Sequence, residues 1–159
     1  MWYMKSSQII TKTPGETKKL GELFAEEIGI FLHKAAPRHA LVVGLVGDLA
    51  AGKTTFVQGM MRGFGVTGKI TSPTFVLSKT YNVWKKDSVM RRVCHCDFYR
   101  LSSRKEVKDI GLKEMLADPK TVVIVEWADR IKGFLKKGSI VLSFKHIKKQ
   151  HRAITFRRL

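Results

Sequence analysis

The residues with the most defined chemistry are Gly47-Asp48-Leu49-Ala50-Ala51-Gly52-Lys53-Thr54-Thr55. They satisfy the pattern Gly-x-x-x-x-Gly-Lys-Ser/Thr, which cradles nucleotide phosphates. Gly47 and Gly52 let the backbone curl so that several N–H groups point inward at phosphate oxygens. A helix beginning near Lys53 adds its positive dipole end. Lys53 is placed to reach the β- and γ-phosphates, and the Thr54 hydroxyl to ligate Mg²⁺. Thr55 is expected near the α-phosphate. ATP and Mg²⁺ are the expected ligands; GTP is disfavoured because no Asn-Lys-x-Asp sequence occurs.

A phosphate loop needs a second, acidic half. The apolar run Thr121-Val122-Val123-Ile124-Val125 ends in Glu126-Trp127-Ala128-Asp129-Arg130. A buried strand beside the loop that ends in an acid brings that acid to Mg²⁺ or to the attacking water. The turn Ser72-Pro73-Thr74 is dense in hydroxyls, and a Thr or Ser after the first helix can sense the γ-phosphate. Thr74 and Thr71 are the candidates, and an ordinary Ser-Pro turn accounts for the same residues equally well. Cys94-His95-Cys96 has metal-ligand residue types. Strand alternation turns His95 away from the two thiols, and structural zinc takes four ligands. Buried small thiols are the better reading.

These groups need elements to hold them. Ala40-Leu41-Val42-Val43-Gly44-Leu45-Val46 reads as a buried parallel strand entering the loop. Thr54 to Phe64 reads as the helix leaving it, with Phe56, Val57, Met60, Met61 and Phe64 on one face. Upstream, Gln8 to Lys12 is a short strand. Thr13-Pro14-Gly15-Glu16 then opens a capped helix whose apolar stripe runs to about Leu32. Downstream, Phe75 to Tyr81 is expected as a strand, with a hairpin turn at Lys85-Lys86-Asp87-Ser88. Val89 to Arg100 covers the next strand and its exit. Ser103-Arg104-Lys105-Glu106 caps a helix that Gly111 weakens or splits. Ser139 to Lys145 and Ala153 to Arg157 close the chain as an antiparallel hairpin. The fold class expected is α/β: a three-layer arrangement like that of P-loop NTPases, with a mostly parallel central sheet and an antiparallel C-terminal hairpin, as one domain over 1–159.

The 159 residues carry 30 Lys+Arg against 13 Asp+Glu, a net charge of +17. That excess points to a polyanionic partner, RNA or DNA. The segment from Arg130 to Leu159 holds ten Lys/Arg and no Asp or Glu. Lys136, Lys137, Lys148, Lys149, Arg152, Arg157 and Arg158 are the expected contact patch. No apolar run approaches the ~20 residues needed to cross a bilayer, and the first residues lack the long apolar core of a secretory signal. A cytoplasmic setting with no membrane contact is expected.

Four motifs in order, Gly47 to Thr55, Ser72-Pro73-Thr74-Phe75, His95-Cys96-Asp97-Phe98-Tyr99-Arg100-Leu101 and Glu126-Trp127-Ala128-Asp129-Arg130, resemble those of the bacterial TsaE (YjeE) family. The resemblance covers nearly the whole chain. It implies a small P-loop ATPase that works with TsaD and TsaB to form N6-threonylcarbamoyladenosine beside the anticodon of tRNA. ATP binding would drive docking on the TsaB–TsaD pair, and hydrolysis would reset the complex. It further implies that Thr74 belongs to a switch loop, that Asp97 serves the Mg²⁺ region or the water, that Glu126 is the hydrolytic acid/base, and that Trp127 packs near the nucleotide. One departure stands inside the loop. The family usually reads Gly-Asp-Leu-Gly-Ala-Gly-Lys-Thr, and Ala50 here replaces the middle Gly. A methyl there is harmless at negative φ and costs on the order of 1 kcal/mol or more at positive φ.

Two other readings share the phosphate loop. A small-molecule or nucleoside kinase would need an acceptor pocket and an arginine-bearing lid, and no lid segment is evident. A nucleotide-gated RNA-binding module is supported by the basic tail, and is compatible with an ATPase.

Overall fold

The computed structural model describes residues 7–159, apart from Asp87 and Lys132 and the side chain of Asp109. Seven strands form one sheet in the order β1-β7-β6-β2-β5-β4-β3. They are β1 (Ser7–Thr11), β2 (Leu41–Gly47), β3 (Ser78–Asn82), β4 (Arg92–Asp97), β5 (Thr121–Glu126), β6 (Ile140–Lys148) and β7 (His151–Arg158). The four central strands β6, β2, β5 and β4 run parallel. β7 and β1 on one side and β3 on the other run antiparallel. The parallel strands are continuous apolar runs because helices cover both faces.

Helices α1 (Pro14–Ala35) and α2 (Lys53–Gly63) lie on one face. Phe24, Ile28, Phe56, Val57 and Met60 pack there against Val43, Leu45, Val122, Ile124 and Leu142. The short helices α3 (Arg104–Asp109) and α4 (Leu112–Ala117) cover the other face. There Leu101, Val107 and Leu112 meet Cys94, Cys96, Val123 and Val125. Three layers result, with one apolar core on each side of the sheet.

Helix starts follow the sequence signals. Thr13 Oγ1 accepts the Glu16 amide at 3.1 Å, and Pro14 occupies the first turn. The Glu16 carboxylate reaches one residue further back than a capping box requires, to the Lys12 amide at 2.7 Å. The helix runs past Leu32 to Ala35, where Ala36 at φ 41° closes it by donating its amide to Leu32. Ser103 and Glu106 form the full reciprocal box at α3. Gly111, at φ 66°, splits the following stretch into α3 and α4.

The alignment of α2 depends on its contact with α1. A Cβ at Gly59 would strike the carbonyl of Lys18, one at Gly63 that of Glu22 and one at Gly21 that of Phe56, so the two helices touch backbone to backbone because all three positions are bare. α2 is thereby clamped along its length, and its N-terminus, which carries the phosphate loop, is clamped with it.

One expected element is different. Phe75, Val76 and Leu77 are a turn, and β3 begins only at Ser78. The Val76 and Leu77 amides both donate to the Pro73 carbonyl, at 3.0 and 2.6 Å. Leu77 is left-handed at φ 63°. The local turn bonds to the Pro73 carbonyl win over the β-propensity of the apolar triplet. Phe75 is left 83% exposed. β3 and β4 pair antiparallel as expected; of the turn between them, Asp87 lies outside the described residues.

The C-terminal hairpin is longer than the apolar runs suggest. β6 continues to Lys148 and β7 starts at His151, with a register irregularity between His146 and Lys148.

Candidate functional site

β2, β5 and β4 end side by side; β2 leads into the glycine loop, and β5 and β4 each end in an acid. Leu45 of β2 is level with Glu126 of β5, and Glu126 is level with Asp97 of β4. The loop after β2 curls through three left-handed residues, Gly47 (φ 133°), Ala50 (φ 59°) and Gly52 (φ 99°). Gly47 is also pressed against the neighbouring strand, where a Cβ would strike the carbonyl of Phe144. Gly52 caps α2, so the loop delivers the chain to a helix N-terminus.

Lys53 is buried, at 4% exposure. Its Nζ donates to the carbonyls of Gly47 and Asp48, at 2.6 and 2.7 Å. It also stands 3.8 Å above the centre of the Trp127 ring. Burial lowers the Lys53 pKa below the ordinary lysine value, against the opposing pull of Glu126, Asp129, Asp48 and Asp97. The next residue links the loop to β5: Thr54 Oγ1 donates to Glu126 Oε2 at 2.7 Å. The other oxygen, Oε1, is 2.9 Å from His95 Nε2. A carboxylate only accepts, so Nε2 is the protonated ring nitrogen. His95 is fully buried, and its Nδ1 has no hydrogen-bond partner among the described residues.

Asp97 is the centre of a second cluster. Its Oδ2 accepts from Thr74 Oγ1 at 2.6 Å and Ser72 Oγ at 2.9 Å. Its Oδ1 accepts the Tyr99 amide at 2.8 Å. The 72–74 turn is thus tied to β4 by its hydroxyls. Of the two threonines considered, Thr74 is at the site. Thr71 instead accepts from Lys79 Nζ at 2.9 Å.

Trp127 sits at φ 58° at the start of the 3-10 turn Ala128–Arg130. Its ring contacts Tyr99 at 5.2 Å and the Arg130 guanidinium at 5.5 Å. Lys53, Thr54, Glu126 and Trp127 therefore meet as one group, with Thr74 and Asp97 on the adjacent strand end. Asp48, Leu49, Ala51 and Thr55 lie in or next to the loop, and Leu49 is 75% exposed.

The sequence did not single out three groups found here. His95 holds Glu126, although its residue type suggested metal. The usable signal was its position two before Asp97 on one face of a strand pairing with that of Glu126. Ser72 shares Asp97 with Thr74. Arg152, expected in a polyanion patch, instead places a guanidinium nitrogen 3.2 Å from the Ala50 carbonyl. The thiols Cys94 and Cys96 are buried and free, 3.6 Å apart, on the opposite side of β4 from His95.

A parallel strand that enters a glycine loop at a helix N-terminus, beside a strand ending in an acid, defines a P-loop fold. A family model described as threonylcarbamoyl adenosine biosynthesis protein TsaE matches residues 11–154. The tRNA threonylcarbamoyladenosine biosynthesis protein TsaE of Bacillus subtilis is 36% identical over 153 residues, covering 96% of this chain and 86% of that protein. Its counterpart from Haemophilus influenzae is 33% identical over 125 residues, 79% of this chain and 73% of that one. The crystal structure of Bacillus subtilis YdiB superposes with a TM-score of 0.72 at 31% identity, over 97% of this chain and 86% of that one. The chain belongs to the TsaE family.

Proposed function

We propose that this chain is an ATPase subunit in the formation of N6-threonylcarbamoyladenosine on tRNA, acting with TsaB-like and TsaD-like partners. The observation that carries this reading is the Thr54–Glu126 hydrogen bond at 2.7 Å, which joins the phosphate loop to a buried acid on the next strand. A hydroxyl and two carboxylates, those of Glu126 and Asp97, form an all-oxygen donor set that suits Mg²⁺, which takes few protein ligands and shares its sphere with phosphates and water. Bound there, Mg²⁺ would neutralise charge building on the phosphate oxygens.

The residues divide the remaining work. Lys53 moves its ammonium from the loop carbonyls to the β- and γ-phosphate oxygens. The loop amides and the α2 N-terminus hold the phosphates in place. Glu126, held at both oxygens, orients the attacking water and accepts its proton. Thr74, on the turn tied to Asp97, reports the γ-phosphate to the exposed Phe75-Val76 segment that follows it. Trp127 excludes water above Lys53. Gating of partner docking by ATP, with hydrolysis as the reset, is the use that the family resemblance implies for this arrangement.

The test is ATP hydrolysis measured with and without the cognate TsaB–TsaD pair and tRNA. Stimulation by the partners is expected. Lys53→Ala is expected to abolish ATP-dependent activity, and unchanged hydrolysis in that variant would sink the site assignment.

A further inference from the structure

The basic tail is divided by the fold. Lys145, Lys148, Lys149 and Arg152 surround the hairpin turn. That turn is at the phosphate-loop end of the sheet, since Gly47 is level with Phe144. Lys136, Lys137 and Arg158 are at the opposite end, where β2 begins. The six residue steps from Leu41 to Gly47 separate the two ends by about 20 Å.

At that opposite end lies a cleft of about 710 Å³. Arg38 and His39, after α1, form one wall. Arg104 and Lys108 of α3 and Lys113 of α4 form the second. Lys136 and Lys137 form the third, with Arg158 of β7 lying over Phe31 at 5.0 Å. Its floor includes Leu41, Val107 and Leu112. Seven of the lining residues are Lys or Arg and none is Asp or Glu. Among the described residues the ion pairs join Lys19 to Glu22, Arg92 to Asp118 and His95 to Glu126. No described carboxylate therefore pairs with Arg38, Lys108, Lys113, Lys136 or Lys137.

So many like charges around one concavity repel one another, and the repulsion is relieved by an anion. The cations come from four separate segments. A chain of regularly spaced phosphates offers each segment its own anion, which one small anion does not. We propose that this cleft docks the phosphate backbone of RNA, and that the RNA is the tRNA whose modification this chain serves. The identity of the RNA rests on the function proposed above; the cleft itself does not. The site is far from the phosphate loop, so RNA and ATP bind without competing for the same groups.

The test is binding of an unmodified tRNA transcript to the full chain, followed by fluorescence anisotropy across a salt series. One variant carries Lys108→Gln, Lys113→Gln, Lys136→Gln and Lys137→Gln. A charge-matched control carries Lys12→Gln, Lys145→Gln, Lys148→Gln and Lys149→Gln at the other end. All eight lysines are exposed, so both variants are expected to fold, which thermal melting verifies. The cleft variant is expected to lose at least tenfold in tRNA affinity at about 0.1 M salt. Its slope of log K against log salt should shrink by about three, from four lost phosphate contacts. The control is expected to change affinity less than threefold, and ATP hydrolysis in the cleft variant to stay unchanged. Equal losses in both variants, or unchanged affinity in the cleft variant, would overturn the proposal. So would displacement of tRNA by polyglutamate of matched charge as readily as by unlabelled tRNA. None of these outcomes touches the ATPase reading, which stands or falls with Lys53→Ala.

Discussion

His95 Nε2 lies 2.9 Å from Glu126 Oε1, and both side chains are buried where β4 and β5 run in parallel. The contact fixes the carboxylate at one oxygen while Thr54 fixes it at the other. Glu126 thus has one orientation, aimed from β5 at the phosphate loop. The donor at His95 Nε2 thus positions the Glu126 carboxylate from within the sheet.

His95→Leu removes that donor and is expected to lower the turnover of ATP hydrolysis about tenfold or more, with nucleotide affinity within about threefold of the parent. His95→Gln can present an amide N–H from a similar position and is expected to recover most of the loss. Turnover from hydrolysis assays and affinity from calorimetric titration separate the two. A fall in affinity that matches the fall in turnover, with no rescue by Gln, would reduce His95 to a packing residue.

Ala50 sits at φ 59° and shares the loop's left-handed curl with Gly47 and Gly52. Its methyl is therefore carried in the same backbone shape that a glycine would take. The strain is about 1 kcal/mol. Glycine would remove it, but would return a similar amount as unfolded-chain entropy. Ala50→Gly is expected to leave the melting temperature within about 3 °C and ATP affinity within about twofold. Ala50→Val, β-branched at positive φ, is expected to weaken ATP binding at least fivefold. Equal affinities for the Val and Gly variants would show that the loop is not held in this conformation.

Gly59→Ala is expected to cost about 2–3 kcal/mol, because the added methyl meets the Lys18 carbonyl and not a side chain that can turn aside. For a chain of this size that lowers the melting temperature by roughly 5–10 °C. The α1–α2 contact also supports the phosphate loop, so ATP affinity should fall along with stability. Thermal melting with and without ATP measures both.

Asp118 supplies an acid-side pH dependence away from the site. Burial raises its pKa, but the Thr121 hydroxyl, the Lys120 amide and the Arg92 guanidinium outweigh that and hold it below the ordinary value of 3.8. A carboxyl depressed in the folded state stabilises the protein above its unfolded value, and that stability is lost as the pH falls through the folded value. Asp118→Asn is expected to cost about 1 kcal/mol at neutral pH. It should also flatten the loss of stability below about pH 4. Denaturant melts at pH 3 and pH 7 give the comparison; parallel losses in parent and variant would remove Asp118 from the acid response.

The parallel strands, the loop, the capped helices and the closing hairpin were legible because each is written in local chemistry. Apolar runs of strand length, glycine spacing and Ser/Thr–Glu caps depend on residues within one or two turns of each other. Ala50 was recognisable as a departure, and its consequence was conditional on one torsion. Glu126 could be picked out because an acid ending a buried strand has few other uses beside a phosphate loop.

What the sequence determined by itself was therefore the phosphate loop, its strand and helix, and the acid that completes it. Only the tertiary structure decided which neighbours they have. Parallel register put His95 on Glu126 and Asp97 level with it, across chain separations of about thirty residues. Turn bonds to Pro73 cancelled the expected strand at Phe75 to Leu77 and freed Thr74 to meet Asp97. Basic residues that look like one cluster along the chain were divided, Lys145, Lys148, Lys149 and Arg152 to one end of the sheet and Lys136, Lys137 and Arg158 to the other, because β6 and β7 traverse its full height between them. Proximity along a chain is read from spacing; proximity across a sheet is set by strand order and register, which depend on how distant segments pack.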